Sequence, residues 1–217
     1  MRKPLDQQIM KLKKLIAQVN VVSFDFFDTL FVRPLCHAED AFDILGKKFN
    51  IENFREIRRE AQAQAFRNMH DKQRKEITLA DIYQCFPPSK VSSEELMQAE
   101  HDLELCLVVP NPELIKIFND AVDSGKTVVV TSDMYLTEDF FINAFDKYNL
   151  AQVPMFISAS KNSTKRDYGE LFDILSEELG VPHESILHIG DNEHADVKKA
   201  LGKNLQVFHY CQDRNFY

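Results

Sequence analysis

The stretch VVSFDFFDTLF, positions 21 to 31, constrains this chain more than any other. Val21, Val22 and Phe24 make a short apolar run that ends on Asp25, and Asp28, Thr29 and Leu30 follow at once. A continuous β-branched and aromatic run reads as a buried parallel strand, and open α/β sheets present their chemistry at the carboxyl ends of such strands. A carboxylate there is costly to bury unless it is paired, protonated or bound to a cation, and a second acid three residues on favours a metal. On this stretch alone, an Asp that merely caps the following turn is an equal alternative.

The rest of the chain has the material to build around that strand. It has 217 residues, 44% of them hydrophobic and 17 of them Phe, which is ample for a real core in one large or two small domains. A net charge of -8 disfavours nucleic acid as a partner, because phosphate contacts need a basic footprint. No apolar run is long enough to span a membrane, and the opening MRKPLDQQIMKLKK is too polar for a secretory signal. Cys36, Cys85, Cys106 and Cys211 form no close pairs of the kind zinc sites use, and they are expected to be small buried hydrophobes. A reduced, cytoplasmic protein is the simplest expectation.

Residues 4 to 19 place Leu5, Ile9, Leu12, Leu15, Ile16 and Val19 near helical spacing, with lysines between them. This N-terminal amphipathic helix (1-19) either packs on its own domain or docks a protein partner. The next convincing strand, Thr127 to Val130, comes about a hundred residues after the first, far more than one crossover helix requires. The far end of the crossover is legible: Asn111 as cap, Pro112 at the first helical position, an apolar stripe from Leu114 to Val122, and Gly125 as stop. Residues 34-110 are therefore an insert, helical throughout, and 20-33 with 111-217 form the core. Arg55, Arg58, Arg59, Arg67, Arg74 and Lys75 concentrate basic charge in the insert. They read as a solvated helix face balanced by Glu52, Glu56 and Glu60, with a lid over an anionic substrate as the sharper reading. Glu100 and Glu104, one turn apart, read as a surface face, with a two-carboxylate metal pair as the sharper reading.

Strand and helix then alternate. The second strand ends in Thr131, Ser132 and Asp133, before a helix with Phe141, Ile142, Phe145 and Tyr148 facing inward and Thr137 as its cap. Met155 to Ser158 is the third strand, followed by SASKNSTKRD. Ile186 to Ile189 is the fourth and opens into GDNEHAD, followed by a helix carrying Val197, Ala200 and Leu201; the last strand is Leu205 to Phe208. Right-handed crossovers bring Asp25, Thr131 or Ser132, Lys161 or Lys165, and Asp191 with Asp196 to one edge of the sheet. Together they suit phosphoryl transfer: a carboxylate nucleophile, a hydroxyl and an ammonium for the phosphoryl oxygens, and acids for a hard divalent ion. His188 within a strand reads as a core residue, and His194 as a solvated loop residue.

In this order of motifs, FDFFDTL and GDNEHAD foremost, the chain resembles the haloacid dehalogenase (HAD) superfamily over essentially its whole length. The resemblance implies an α/β, Rossmann-like parallel sheet with an inserted helical cap. It implies Asp25 as a nucleophile forming an aspartyl phosphate, and Ser132, seven residues after Gly125, as phosphate binder with Thr131 as fallback. Lys165 would pair nucleophile and phosphate. Mg2+ would be held by Asp25, the Phe27 backbone carbonyl, Asp191 and Asp196. The implied activity is hydrolysis of a small phosphorylated metabolite. Similar chains with this first motif and a SDMYL second motif often accompany bacterial surface-polysaccharide enzymes, which suggests a sugar-type phosphate.

One position departs from the family's phosphatases. They carry a general acid two residues after the nucleophile, where this chain has Phe27, and Asp28 comes one residue later. Loss of such a donor typically costs about a hundredfold to ten-thousandfold. Asp28 can be delivered by the turn, the leaving group can need no proton, or the chemistry can differ. The alternatives are thus a weakened phosphoryl-binding or scaffold module and a metal-independent carbon-halide dehalogenase, whose members typically lack the Gly-Asp kept here as Gly190 and Asp191.

Overall fold

A computed structural model describes residues 5–211. The N-terminal helix α1, Leu5–Gln18, spends its apolar face inside the molecule, with Leu12, Ile16 and Val19 buried in the core. Pro4 and the residues before it lie outside the described ones. Next come β1, Val21–Phe24, buried at every position, and β2, Phe31–Val32. The insert supplies α2 (Asp40–Phe49), α3 (Phe54–Asp71), α4 (Leu79–Gln84) and α5 (Ser93–Leu107). The chain leaves it through β3, Val109–Pro110, which pairs antiparallel with β2, so entry and exit lie side by side.

Helix α6, Pro112–Asp123, starts as its sequence dictates: the Asn111 side chain accepts from the Glu113 N–H, and Pro112 needs no partner there. Gly125, at a φ of 76°, turns the chain into β4, Thr127–Ser132. The remaining elements are α7 (Glu138–Lys147), β5 (Met155–Ile157), α8 (Ser158–Lys161), α9 (Glu170–Leu179) and β6 (Ile186–Gly190). A π-helical turn, Glu193–Lys199, runs into α10 (Ala200–Gly202) before β7, Gln206–His209. The five long strands form one parallel sheet in the order β5-β4-β1-β6-β7. Beyond β1 the order reverses direction, and β1 therefore sits where an open α/β sheet places its ligand crevice. No helix among the described residues is long and apolar enough to cross a membrane.

Phenylalanine fills the space between β1 and α7. The Phe26 ring stacks on Phe31 at 4.4 Å and meets Phe141 edge-on at 4.7 Å, while Phe145 and Phe118 close the cluster. Several local expectations are corrected. Ile142 is exposed on α7, and Thr137 bonds Asp139 instead of capping the helix. The helix after the fourth strand is mostly π-helical and leaves Leu201 exposed. Cys36 and Cys106 are exposed, and Cys85 and Cys211 are half-buried.

The largest correction lies in the insert. Arg58 is not on a solvated face, nor are Glu100 and Glu104 on the surface; all three are buried. Arg58 on α3 makes a two-pronged ion pair with Glu100 on α5, 2.7 Å for each bond, and Tyr83 on α4 donates to the same carboxylate at 2.7 Å. The guanidinium also lies over the rings of Phe42, Tyr83 and Tyr135. Glu104 accepts from Arg33 at 3.3 Å. A satisfied buried charge network thus joins these helices beside their apolar contacts.

Removing one partner of such a pair strands the other without water. Glu100→Ala is expected to lower unfolding free energy by about 3–5 kcal/mol, against a much smaller change for the double replacement Arg58→Met with Glu100→Leu. Urea denaturation of the three chains checks it; equal losses in single and double variants would contradict it.

Candidate active site

Four strands deliver the site. Asp25 follows β1, its N–H bonded to the Ile189 carbonyl of β6 at 2.8 Å, and the residue is buried, 7% exposed. Asp191 follows β6 directly and is half-buried, and Asp196, buried, projects from the π-helical turn. Carboxylate oxygens of Asp25, Asp191 and Asp196 lie within 4.8 Å of one another. Lys165, buried in the loop after α8, donates to Asp25 Oδ1 at 2.7 Å, to Asp196 Oδ1 at 2.6 Å and to the Thr131 carbonyl at 2.9 Å. Lys161, the other candidate ammonium, instead pairs with Glu178 at 2.7 Å.

Close packing supports the acids. A Cβ at Gly190 would run into the Asp196 carboxyl carbon, so only glycine lets β6 pass there. Asn192 accepts from the His194 and Ala195 N–H groups and donates its own N–H to Asp196 Oδ2 at 2.9 Å, which aims that carboxylate. Asp28 takes a left-handed φ of 54°, a conformation that Asp tolerates better than most residues.

One ammonium serves two carboxylates, and their electrostatics diverge accordingly. Burial pushes Asp25 up to about 7, with Lys165 opposing and Asp196 and Asp191 adding to the rise. Asp196 goes the other way: burial resists, but Lys165 and the His188 hydrogen bond hold it well below the usual carboxylate range. Asp191 is raised to about 6 by burial, then by the charges of Asp196 and Asp28. Burial pulls Lys165 down, yet Asp196, Asp25 and Asp133 together hold it above the ordinary lysine range.

Beneath the acids lies a polar chain that sequence reasoning missed. His188 Nε2 is 3.1 Å from Asp196 Oδ1, His188 Nδ1 is 2.8 Å from Ser23 Oγ, and Ser23 Oγ is 2.8 Å from Thr131 Oγ1. All three supporting side chains are fully buried. Since Asp196 is ionised and burial keeps His188 neutral, Nε2 carries the proton and Nδ1 accepts from Ser23. Ser23 Oγ is then left to accept from Thr131, whose hydroxyl is thereby engaged under the site. Ser132, buried beside it, makes no hydrogen bond through its hydroxyl among the described residues. The signal was present in the sequence: Ser23 and His188 interrupt apolar runs, and they are direct partners across β1 and β6.

The oxygen set fits a hard divalent cation. Three clustered carboxylates share a single ammonium, a two-charge excess when all three are ionised, and all the donors are oxygens. No backbone amide among the described residues donates to the Phe27 carbonyl. The Phe27 ring packs against Phe26, Phe140 and Phe141, with Arg33 over its face at 4.6 Å. It offers no proton to a leaving group.

No protein-family model matches the chain, and no curated protein matches it. Solved structures do. The putative HAD-hydrolase YfnB from Bacillus subtilis, bound to magnesium, aligns with a TM-score of 0.63 at 16% identity, over 92% of this chain and 92% of that one. The HAD family enzyme BT-2542 from Bacteroides thetaiotaomicron, in complex with magnesium and inorganic phosphate, gives 0.58 at 16%, over 91% and 97%. The L-2-haloacid dehalogenase from Xanthobacter autotrophicus gives 0.60 at 15%, over 88% and 77%. The chain has the haloacid dehalogenase fold.

In this haloacid dehalogenase fold the raised acids carry a pH signature. Asp191 has a folded pKa above its unfolded 3.8, so between about pH 4 and 6 the native state binds more protons than the unfolded one and loses stability as pH rises. Asp25 acts in the same sense up to about 7, whereas neutral His188 acts in the opposite sense near its unfolded 6.5. The difference between variants isolates one group. In chelator, Asp191→Asn is expected to gain stability relative to the native chain, and the gain should grow from pH 4 to pH 7. Thermal unfolding across that range measures it, and a flat difference would refute the electrostatic account.

Proposed function

We propose that the protein is a magnesium-dependent phosphatase that hydrolyses small phosphorylated metabolites through an aspartyl-phosphate intermediate. The observation that carries this reading is the convergence of Asp25, Asp191 and Asp196 around the Lys165 ammonium. Asp25 Oδ1 accepts from Lys165, which holds the carboxylate in one orientation and leaves Oδ2 to attack phosphorus. The new Asp25 oxygen–phosphorus bond forms as the bond to the leaving oxygen breaks, and water then attacks the same phosphorus to release inorganic phosphate and free Asp25. In this reading Lys165 and the unengaged Ser132 hydroxyl bind the phosphoryl oxygens, because the Thr131 hydroxyl is already bonded to Ser23. A divalent cation held by Asp25, Asp191, Asp196 and the Phe27 carbonyl would supply charge neutralisation for the transferring group.

Two further parts belong to this reading. The helices of residues 34-110 act as a cap that excludes water from the site. Asp28, whose charge is felt at Asp191, is the remaining candidate for the proton that Phe27 cannot give. Phe27 also favours a second reading, metal-independent dehalogenation, which needs no leaving-group acid. Against that reading stands the excess negative charge of the acid cluster, for which a metal-free displacement has no use.

Release of inorganic phosphate from aryl phosphates and a panel of sugar phosphates should require magnesium and fall below detection in Asp25→Asn; activity surviving in that variant or in excess chelator would exclude the mechanism. Asp28→Asn should slow poor leaving groups by about a hundredfold or more and spare activated aryl esters. A uniform loss, or none, would remove Asp28 from proton transfer. Halide release from 2-haloacids in chelator would decide for the second reading.

A further inference from the structure

The loop that carries Lys165 is held from outside the core. Asp133, just past β4, accepts the Lys165 N–H at 2.8 Å and the Arg166 N–H at 2.9 Å. The Arg166 carbonyl lies 2.9 Å from His194 Nε2, which ties the same loop to the segment bearing Asp191 and Asp196. The Arg166 side chain then reaches into the insert. Its guanidinium donates to both oxygens of Glu76, at 2.6 and 2.9 Å, and lies 5.9 Å over the Phe66 ring of α3.

Glu76 is built to receive it. The side chain is 2% exposed, although the residue stands between α3 and α4 in a run that reads as solvated charge, RKE. Its carboxylate also accepts from Ser158 Oγ, at the start of α8, at 2.8 Å and from the Ile77 N–H at 2.9 Å. The Asn162 side-chain oxygen accepts from the Lys75 and Glu76 N–H groups, so the insert backbone is fixed to α8 at the same place. A buried carboxylate with donors from three elements is a joint, and a planar two-pronged pair gives it direction as well as attraction.

We propose that Glu76 is a positioning residue for Lys165, acting through Arg166, so that the insert sets the aim of the ammonium that holds Asp25. The residue next to Arg166 carries three hydrogen bonds at the heart of the site, and on the core side Asp133 and His194 share the task of placing it. The insert is thus a component of the catalytic geometry and not solely a cover. The kinetic part of this inference rests on the phosphatase reading; the structural part does not.

Glu76→Gln keeps the shape and removes the charge. Amide hydrogen exchange by mass spectrometry should show residues 163–169 exchanging at least tenfold faster than in the native chain, with β1 and β4 unchanged. In phosphate release, kcat should fall about tenfold with KM within twofold, and Arg166→Ala added to Glu76→Gln should lower kcat no further. Unchanged exchange over 163–169, or an equal rise throughout the core, would overturn the inference whether or not the native chain hydrolyses phosphate esters. If the native chain releases no phosphate, the function reading fails alone and exchange still decides the role of Glu76.

Discussion

The site depends on one ammonium shared by two buried carboxylates. Without Lys165, Asp25 and Asp196 would face each other and Asp191 in a place from which water is nearly excluded, and one or more would stay protonated. With it, Asp196 is ionised and Asp25 remains the more easily protonated partner. This asymmetry comes from the surroundings: Asp196 also has His188 and the Asn192 N–H, while Asp25 has Lys165 alone among the described side chains. Two identical functional groups become distinct by what lies beneath them.

Much of the core was legible because it obeys local rules. The apolar runs of β1, β4 and β6, the Asn111-Pro112 start of α6 and the stop at Gly125 each follow from backbone sterics or capping, and each lies where the sequence puts it. The convergence of Asp25, Lys165, Asp191 and Asp196 was legible too, since parallel strands with right-handed crossovers leave no other edge for their ends. The choice of Lys165 over Lys161 came from resemblance; in the fold Lys165 bonds Asp25, and Lys161 bonds Glu178.

The insert resisted reading for a physical reason. Acid and base spaced three or four residues apart look the same whether they face water or a partner helix, because the pattern reports periodicity and not what covers it. Arg58, Glu100 and Glu76 are hydrophilic residues doing the work of a core, and their partners lie 42 and 90 residues away in sequence. His188 is the core residue its place in a strand implies, but its link to Ser23 was not legible: each is a lone polar group in an apolar strand, and only the register of β1 against β6 makes them neighbours.

The antiparallel pairing of β2 with β3 has a consequence for how such a chain can be rearranged. Val32 and Val109 are opposite one another, a gap of about 5 Å between Cα atoms that a two-residue turn spans. Everything between them can in principle be excised or exchanged for a foreign segment without lengthening or breaking any strand of the parallel sheet. Exchange at this junction would keep every strand in place, but an incoming piece would have to supply a carboxylate for Arg166 where Glu76 now stands.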